Sequence, residues 1–129
     1  RLDRGLPEIG ARPELELAAQ RHARDMVRRR YFSHVTPGGR TMTARLRTAG
    51  YVGDTVSWAA GEVLAWGSGK RSTPAAAVAA WMDSPAHRRV LLDRRYRDVG
   101  IGVALGTPVG SFRRPAATYA AELGFVSPE

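Results

Sequence analysis

The chain has 129 residues, of which 43% are hydrophobic and 25% are charged, a size and composition typical of one globular domain. It contains no cysteine, which excludes disulfide bonds and thiolate metal sites, and no apolar run approaches the roughly 20 residues of a membrane-spanning helix. The net charge of +8 comes almost entirely from arginine, which is compatible with attraction to anionic lipid, a cell-wall polymer or nucleic acid, or with a simple codon bias.

Residues 1–12 contain interspersed glycine and proline and are expected to form an irregular lead-in. Pro13 then opens a helix that is predicted to continue to about Arg30, because apolar residues recur at helical spacing on one face. His22 lies on that face between small residues, which favours half-buried packing as its role. The arginines of this helix fall mostly on the other side, and those at its C-terminal end suit the negative end of the helix dipole.

A second, shorter helix is predicted over residues 43–49, with Gly50 ending it as a C-cap. In this helix Leu46 is expected to face the core, whereas Arg45 and Arg47 are expected to face water. The helix is therefore predicted to be buried on one side and solvated on the other.

Three strands are predicted, at residues 58–66, 98–105 and 118–125. The segments 51–57 and 106–115 are expected to be loop-like connections. Helices that come first, strands that are interleaved and later, and a hairpin at the end favour an α+β fold in which helices cover a small antiparallel sheet.

Between the first two strands, an alanine-rich helix is predicted from Pro74 to about Asp83, and a new helix directly after it. Ser84 is a suitable N-cap for this new helix, and Pro85 suits its first position. His87 then lies in the first turn, where the positive end of the helix dipole disfavours the imidazolium form. A histidine kept neutral near pH 7 is a ready metal ligand or base.

Three residues are candidates for a functional site, namely His34, Glu62 and His87. A histidine beside aromatic residues is most often a hydrogen-bonded structural group. Glu62 is more unusual, because it is embedded in an apolar strand and the burial of an unpaired carboxylate is costly. We therefore expect Glu62 to pair with a cation or a hydrogen-bond donor, for which the two histidines are the obvious candidates.

Five motifs follow one another along the chain: LELAAQRHARDMVRRRYFSH at 15–34, PGGRTMTARLRTAGY at 37–51, GEVLAWG at 61–67, VAAWMDSPAHRRVLLDRRYRDVGIGVA at 78–104 and YAAELG at 119–124. In this order they resemble the CAP superfamily, which comprises cysteine-rich secretory proteins, antigen 5 and pathogenesis-related 1 proteins. The succession of Trp, two residues, Ser-Pro-x-His-Arg and then Val-Gly-x-Gly is similar to the bacterial secreted branch of that family.

The resemblance implies a three-layer α-β-α sandwich with a small central antiparallel sheet, formed by residues 1–129 as a single domain, and a cleft on one side. It also implies that His34 and His87 are the two cleft histidines, which bind zinc in several relatives. Glu62 matches the cleft glutamate of the family's Gly-Glu-Asn motif.

Two positions depart from the family pattern. The asparagine of the Gly-Glu-Asn motif is Val63 here, and the family's second glutamate is replaced by Ser84, with Asp83 beside it. The four-residue site of eukaryotic relatives is thus reduced to three, and Asp83 takes part only if the backbone turns it inward. Bacterial relatives commonly have this reduced set.

Two neutral imidazoles and one carboxylate can hold zinc or another divalent cation, with water in the fourth position as in a catalytic zinc site. Alternatively, Glu62 orients one histidine without touching the metal, and waters complete a weak site. With two or three ligands, we expect weak and exchangeable binding. A metal-dependent hydrolase with Glu62 as general base is the less favoured interpretation, because the sequence contains neither a His-Glu-x-x-His motif nor a nucleophile elbow.

A secreted binding module is the other main interpretation, because a shared fold does not fix function. Its ligand is predicted to be a small apolar molecule, such as a sterol or fatty acid, or an anionic cell-surface or cell-wall component. Nucleic acid is not expected as a partner, because no aromatic residues are interleaved with the arginines. The arginines are densest at Arg88, Arg89, Arg94, Arg95 and Arg97.

The resemblance also predicts the setting in which the protein acts. We expect an extracellular or cell-surface protein that is a monomer. Because the chain begins at Arg1 rather than at methionine, we further expect a fragment or a processed form.

Overall fold

The computed structural model describes residues 1, 4–53, 56–110 and 115–128 of the chain. The elements follow in the order β1 (Gly10–Ala11), α1 (Pro13–Arg29), α2 (Met42–Thr48), β2 (Val56–Ser68), a 3₁₀ turn (Gly69–Ser72), α3 (Pro74–Asp83), α4 (Pro85–Leu91), β3 (Asp98–Leu105) and β4 (Ala116–Pro128). The strands form one sheet in the order β1-β3-β4-β2, so that β2 is an edge strand.

The predicted helices and strands are present, and the long strands β2 and β4 exceed their predicted bounds by two or three residues. The lead-in is not wholly irregular, because Gly10 and Ala11 form β1, which pairs with β3 in parallel. The remaining pairings, β3 with β4 and β2 with β4, are antiparallel. Of the two predicted connections, residues 54, 55 and 111–114 lie outside the described residues.

Helix α1 packs on one face of the sheet, directly over β3. Its proline at the first position and its acidic first turn favour initiation there. A Cβ atom at Gly100 would lie 2.1 Å from the carbonyl carbon of Leu15, and one at Gly102 would lie 2.4 Å from that of Ala19. The glycines that alternate along β3 therefore allow the helix backbone to approach the strand closely.

Helices α3 and α4 cover the opposite face. Trp81 packs in a cluster with Val63, Tyr119 and Leu123, and its indole N–H donates to the carbonyl of Leu64 at 2.9 Å. The side chain of Leu64, one residue after Val63, packs instead with α1. Because successive strand residues point to opposite faces, the sheet separates two helical layers, which confirms the predicted three-layer α-β-α sandwich.

The same alternation places two glutamates on the α1 side of the sheet. Glu62 precedes Leu64 by two residues on β2, and Glu122 follows Ala120 by two residues on β4. Leu64 and Ala120 both pack against α1. The β2–β4 register sets Glu62 directly opposite Glu122, so the two carboxyl groups share one part of the interior.

Candidate functional site

Glu62 is buried and ion-paired, with only 2% of its side chain exposed. Arg45 Nη1 donates to Glu62 Oε2 at 2.6 Å, and Arg45 Nη2 donates to Glu62 Oε1 at 3.0 Å. This two-pronged pairing is the strong form of an arginine–carboxylate contact. The expectation that Arg45 faces water is therefore wrong, because α2 buries this residue beside Leu46 and the buried carboxylate needs a cation.

His34 is the second partner of Glu62, so the predicted pairing of these two residues is confirmed. His34 Nδ1 lies 2.7 Å from Glu62 Oε1, and Arg45 Nη2 donates to the His34 carbonyl at 2.5 Å. Because a carboxylate can only accept, the Nδ1 hydrogen of His34 donates to it, and in the neutral ring the lone pair is then on Nε2. The His34 side chain is 56% exposed, so an oriented imidazole stands at the surface above a buried ion pair.

Glu122 completes this interior network, and sequence reasoning did not single it out. It is fully buried, its Oε1 accepts from Arg45 Nη1 at 3.3 Å, and its Oε2 has no hydrogen-bond partner among the described residues. Burial, followed by the neighbouring Glu62 carboxylate, raises the pKa of Glu122 well above its usual range. A signal was available, since this acid stands in an apolar strand just as Glu62 does.

Arg45 thus faces two carboxyl groups, and the pKa values of these groups are shifted in opposite directions. Burial by itself raises the pKa of Glu62, but the neighbouring Glu122, the hydrogen bonds from His34 and Arg45 and the charge of Arg45 outweigh it and hold that pKa well below its usual range. We assign the one proton of this pair of acids to Glu122, so that Glu62 is the carboxylate that Arg45 neutralises.

His22 belongs to the same interior and is not half-buried packing, which corrects the expectation. Its side chain is fully buried, its Nε2 hydrogen donates to the Ser33 carbonyl at 2.9 Å, and Nε2 lies 4.0 Å from Glu62 Oε1. Burial lowers the pKa of His22, and the nearby Glu62 carboxylate offsets this only in part. The neutral ring of His22 therefore connects the middle of α1 to the segment that carries His34.

His87 lies in a different setting, on α4 at the other face of the sheet. It is half-buried, and its Nδ1 lies 2.8 Å from Ser84 Oγ. Ser84 is the N-cap residue of α4, as predicted, but its hydroxyl makes no capping bond to the backbone. Asp83, the other acidic candidate, is exposed at the end of α3.

Across the described ranges, no group of three or more His, Cys, Asp or Glu side chains is arranged to hold a metal ion. The interior contacts join Glu62 to His34 and Arg45, and Arg45 to Glu122, while the ring of His87 contacts Ser84. A metal site made of His34, Glu62 and His87 stays a prediction.

Comparison with known proteins gives this architecture a family. Residues 1–119 match the family described as CAP, the cysteine-rich secretory protein family. The chain belongs to this family. The predicted resemblance is thereby confirmed.

Three bacterial proteins are similar to this CAP domain. The uncharacterized protein YkwD of Bacillus subtilis (strain 168) is 29% identical over 102 residues, which are 79% of this chain and 37% of that protein. An extracellular protein containing an SCP domain from Bacillus anthracis str. Ames superposes with a TM-score of 0.74 at 27% identity, covering 95% of this chain and 35% of the other. An outer surface protein from Borrelia burgdorferi has a TM-score of 0.73 at 20% identity, covering 98% and 84%, and shows the fold alone.

The CAP domain described here thus spans about a third of the length of the two Bacillus relatives. None of the helices in the described part of the chain is long and apolar enough to cross a membrane.

Proposed function

We propose that this CAP domain acts outside the cell or at its surface and binds a divalent cation, such as zinc, weakly and reversibly through His34 and His87. Glu62 serves as a positioning residue for His34 rather than as a ligand. The two histidines come from opposite sides of the sheet, and β2 is an edge strand, so the shared ion would lie beyond that edge. The proposed location is supported by a structural relative at 27% identity, which is described as an extracellular protein.

The contact between His34 Nδ1 and Glu62 Oε1, at 2.7 Å, is the observation that supports this proposal most directly. Metal-binding histidines usually donate their second ring hydrogen to a carboxylate, which fixes the tautomer and makes the other nitrogen a better ligand. His34 has this carboxylate partner and an exposed ring. His87 Nδ1 is likewise engaged, by Ser84 Oγ, so that its Nε2 is the nitrogen left for a metal.

The contacts of Glu62 argue against its acting as a ligand. Both of its oxygens accept from Arg45, and its side chain is almost completely buried. A metal ion at those oxygens would have to displace the arginine, which would then be a buried cation without a partner. Of the two predicted arrangements, these contacts therefore favour the one in which Glu62 does not touch the metal and waters complete the site.

The same contacts disfavour the hydrolase interpretation. A general base works best when its pKa lies near the working pH. The pKa of Glu62 is held well below its usual range by its hydrogen bonds, so this carboxylate is a weak base. We therefore propose binding rather than turnover as the activity of the site.

Calorimetric titration with zinc at about pH 7.5, where histidine is mostly neutral, tests the proposal. The parent protein is expected to bind saturably, and H34A and H87A are each expected to weaken binding at least tenfold. E62Q is expected to weaken it about 10-fold to 100-fold through the orientation of His34. D83N is the matched control, because Asp83 is exposed beside the site, and its affinity should equal that of the parent.

Two results would contradict the proposal. One is the absence of saturable binding in the parent, and the other is unchanged affinity in H34A and H87A. Thermal melts of each variant separate a loss of ligand from a loss of fold, and H34A is the safest variant because more than half of the His34 side chain is exposed.

A further inference from the structure

Three arginines of α1 form a stripe that the interior network does not use. Arg21, Arg24 and Arg28 are three and four residues apart, a spacing that places them on one helix face. All three are exposed, and none has a hydrogen-bond or ion-pair partner among the described residues. Their charges are therefore available to a ligand.

The stripe lines a groove of about 800 Å³ that lies against α1. Arg29 and Arg40 also line this groove, and Asp25 is the one carboxylate among its described lining residues. Asp25 is already neutralised, since it accepts from Arg29 at 3.2 Å and from the Tyr31 hydroxyl at 2.5 Å. The groove thus combines concave shape with a strong excess of positive charge.

We propose that this groove binds a linear polymer whose repeating units carry phosphate. Along the helix axis, the steps from Arg21 to Arg24 and from Arg24 to Arg28 are about 4.5 and 6 Å at 1.5 Å per residue, so successive guanidinium groups can meet successive anionic groups of one chain. Arginine binds phosphate through two parallel hydrogen bonds, which makes it better suited to such a chain than to a diffuse negative surface.

Two further observations favour this ligand over other anions. The arginines line a partly open groove rather than a flat basic face, which favours a single chain over a bilayer surface. The described lining residues include no Phe, Tyr or Trp, so the groove offers no broad platform on which nucleic-acid bases could stack. The recognition is therefore of a charged backbone, and it is separate from the histidines of the proposed metal site.

Inorganic polyphosphate of defined chain length is the probe, and fluorescence anisotropy against salt concentration is the measurement. R21Q/R24Q/R28Q is expected to weaken binding about tenfold or more and to reduce the slope of log affinity against log salt by about 2, as three contacts of about 0.7 each predict. Glutamine is a good helix former, so this variant is expected to keep α1. The matched control R88Q/R89Q/R94Q removes the same charge from exposed positions outside the groove and is expected to change affinity little.

Equal losses in the two triple variants would overturn the proposal, because net charge rather than the groove would then explain binding. Tighter binding to phosphatidylglycerol vesicles than to polyphosphate, or equal competition by inorganic monophosphate, would overturn it as well.

A second measurement uses the unaltered protein. Polyphosphate should protect Arg21, Arg24 and Arg28 from phenylglyoxal, as read by mass spectrometry, while Arg88 and Arg89 stay reactive. Uniform protection, or none, would contradict the proposed groove.

Discussion

The surroundings of His34 and of His87 differ in what fixes each ring. His34 is tied to Glu62, which Arg45 holds in the interior, so three segments of the chain determine one imidazole. His87 contacts Ser84, three residues earlier at the start of its own helix. The first ring is therefore held by tertiary structure and the second by local structure, and they should respond differently to substitution.

The largest expected effect is on the His34 side. R45M removes the cation that faces Glu62 and leaves a buried carboxylate without its counter-charge, which typically destabilises a protein by about 3–5 kcal/mol. Urea unfolding measures this change. R47M is the matched control, because it makes the same substitution at an exposed position of the same helix, where even the loss of an ion pair should cost about 1 kcal/mol or less. Equal losses of unfolding free energy in R45M and R47M would show that the buried ion pair does not account for the destabilisation.

A smaller, pH-dependent effect is expected at Glu122. Because burial raises its folded-state pKa, its contribution to stability is present below the unfolded pKa of about 4.3 and is lost as pH rises toward the folded value. E122Q resembles the protonated acid but cannot ionise. As pH rises from about 4.3 toward the raised folded-state pKa, the parent should therefore lose unfolding free energy that E122Q keeps.

The measurement for Glu122 is the difference in unfolding free energy between E122Q and the parent across that pH range. A difference that is flat, or that shrinks as pH rises, would show that Glu122 is ionised in the native protein. The pH dependence of stability has the opposite sign for Glu62. Its lowered pKa provides stability above about pH 4.3, and this stability is lost in acid.

The smallest expected effect is on the His87 side. S84A should change stability by less than about 0.5 kcal/mol, because this hydroxyl makes no capping bond. T73A is the control, since the Thr73 side chain accepts from the Ala76 amide at the start of α3 and its loss should cost about 1 kcal/mol. Thermal unfolding compares the two. If S84A were as costly as T73A, the hydroxyl would have a structural role beyond its contact with His87.

Sequence reasoning found the site in part, and its errors have one origin. It identified Glu62 as a buried acid in need of a partner and named His34 correctly, but it placed Arg45, the counter-charge, in water. It also gave His22 a packing role. Each of these assignments depends on how α1 and α2 dock against the sheet, which residue spacing along the chain does not report.

The helices, the strands and the family could be predicted from the residues in order, because periodicity, caps and motifs depend on neighbours a few positions away. The partners of Glu62, in contrast, come from distant parts of the chain. Arg45 lies 17 residues before it, and Glu122 reaches it only through the pairing of β2 with β4. A buried charge pairs with an opposite charge that lies within a few ångströms of it. Which residue lies that close depends on how the layers pack, and only the tertiary structure determines this.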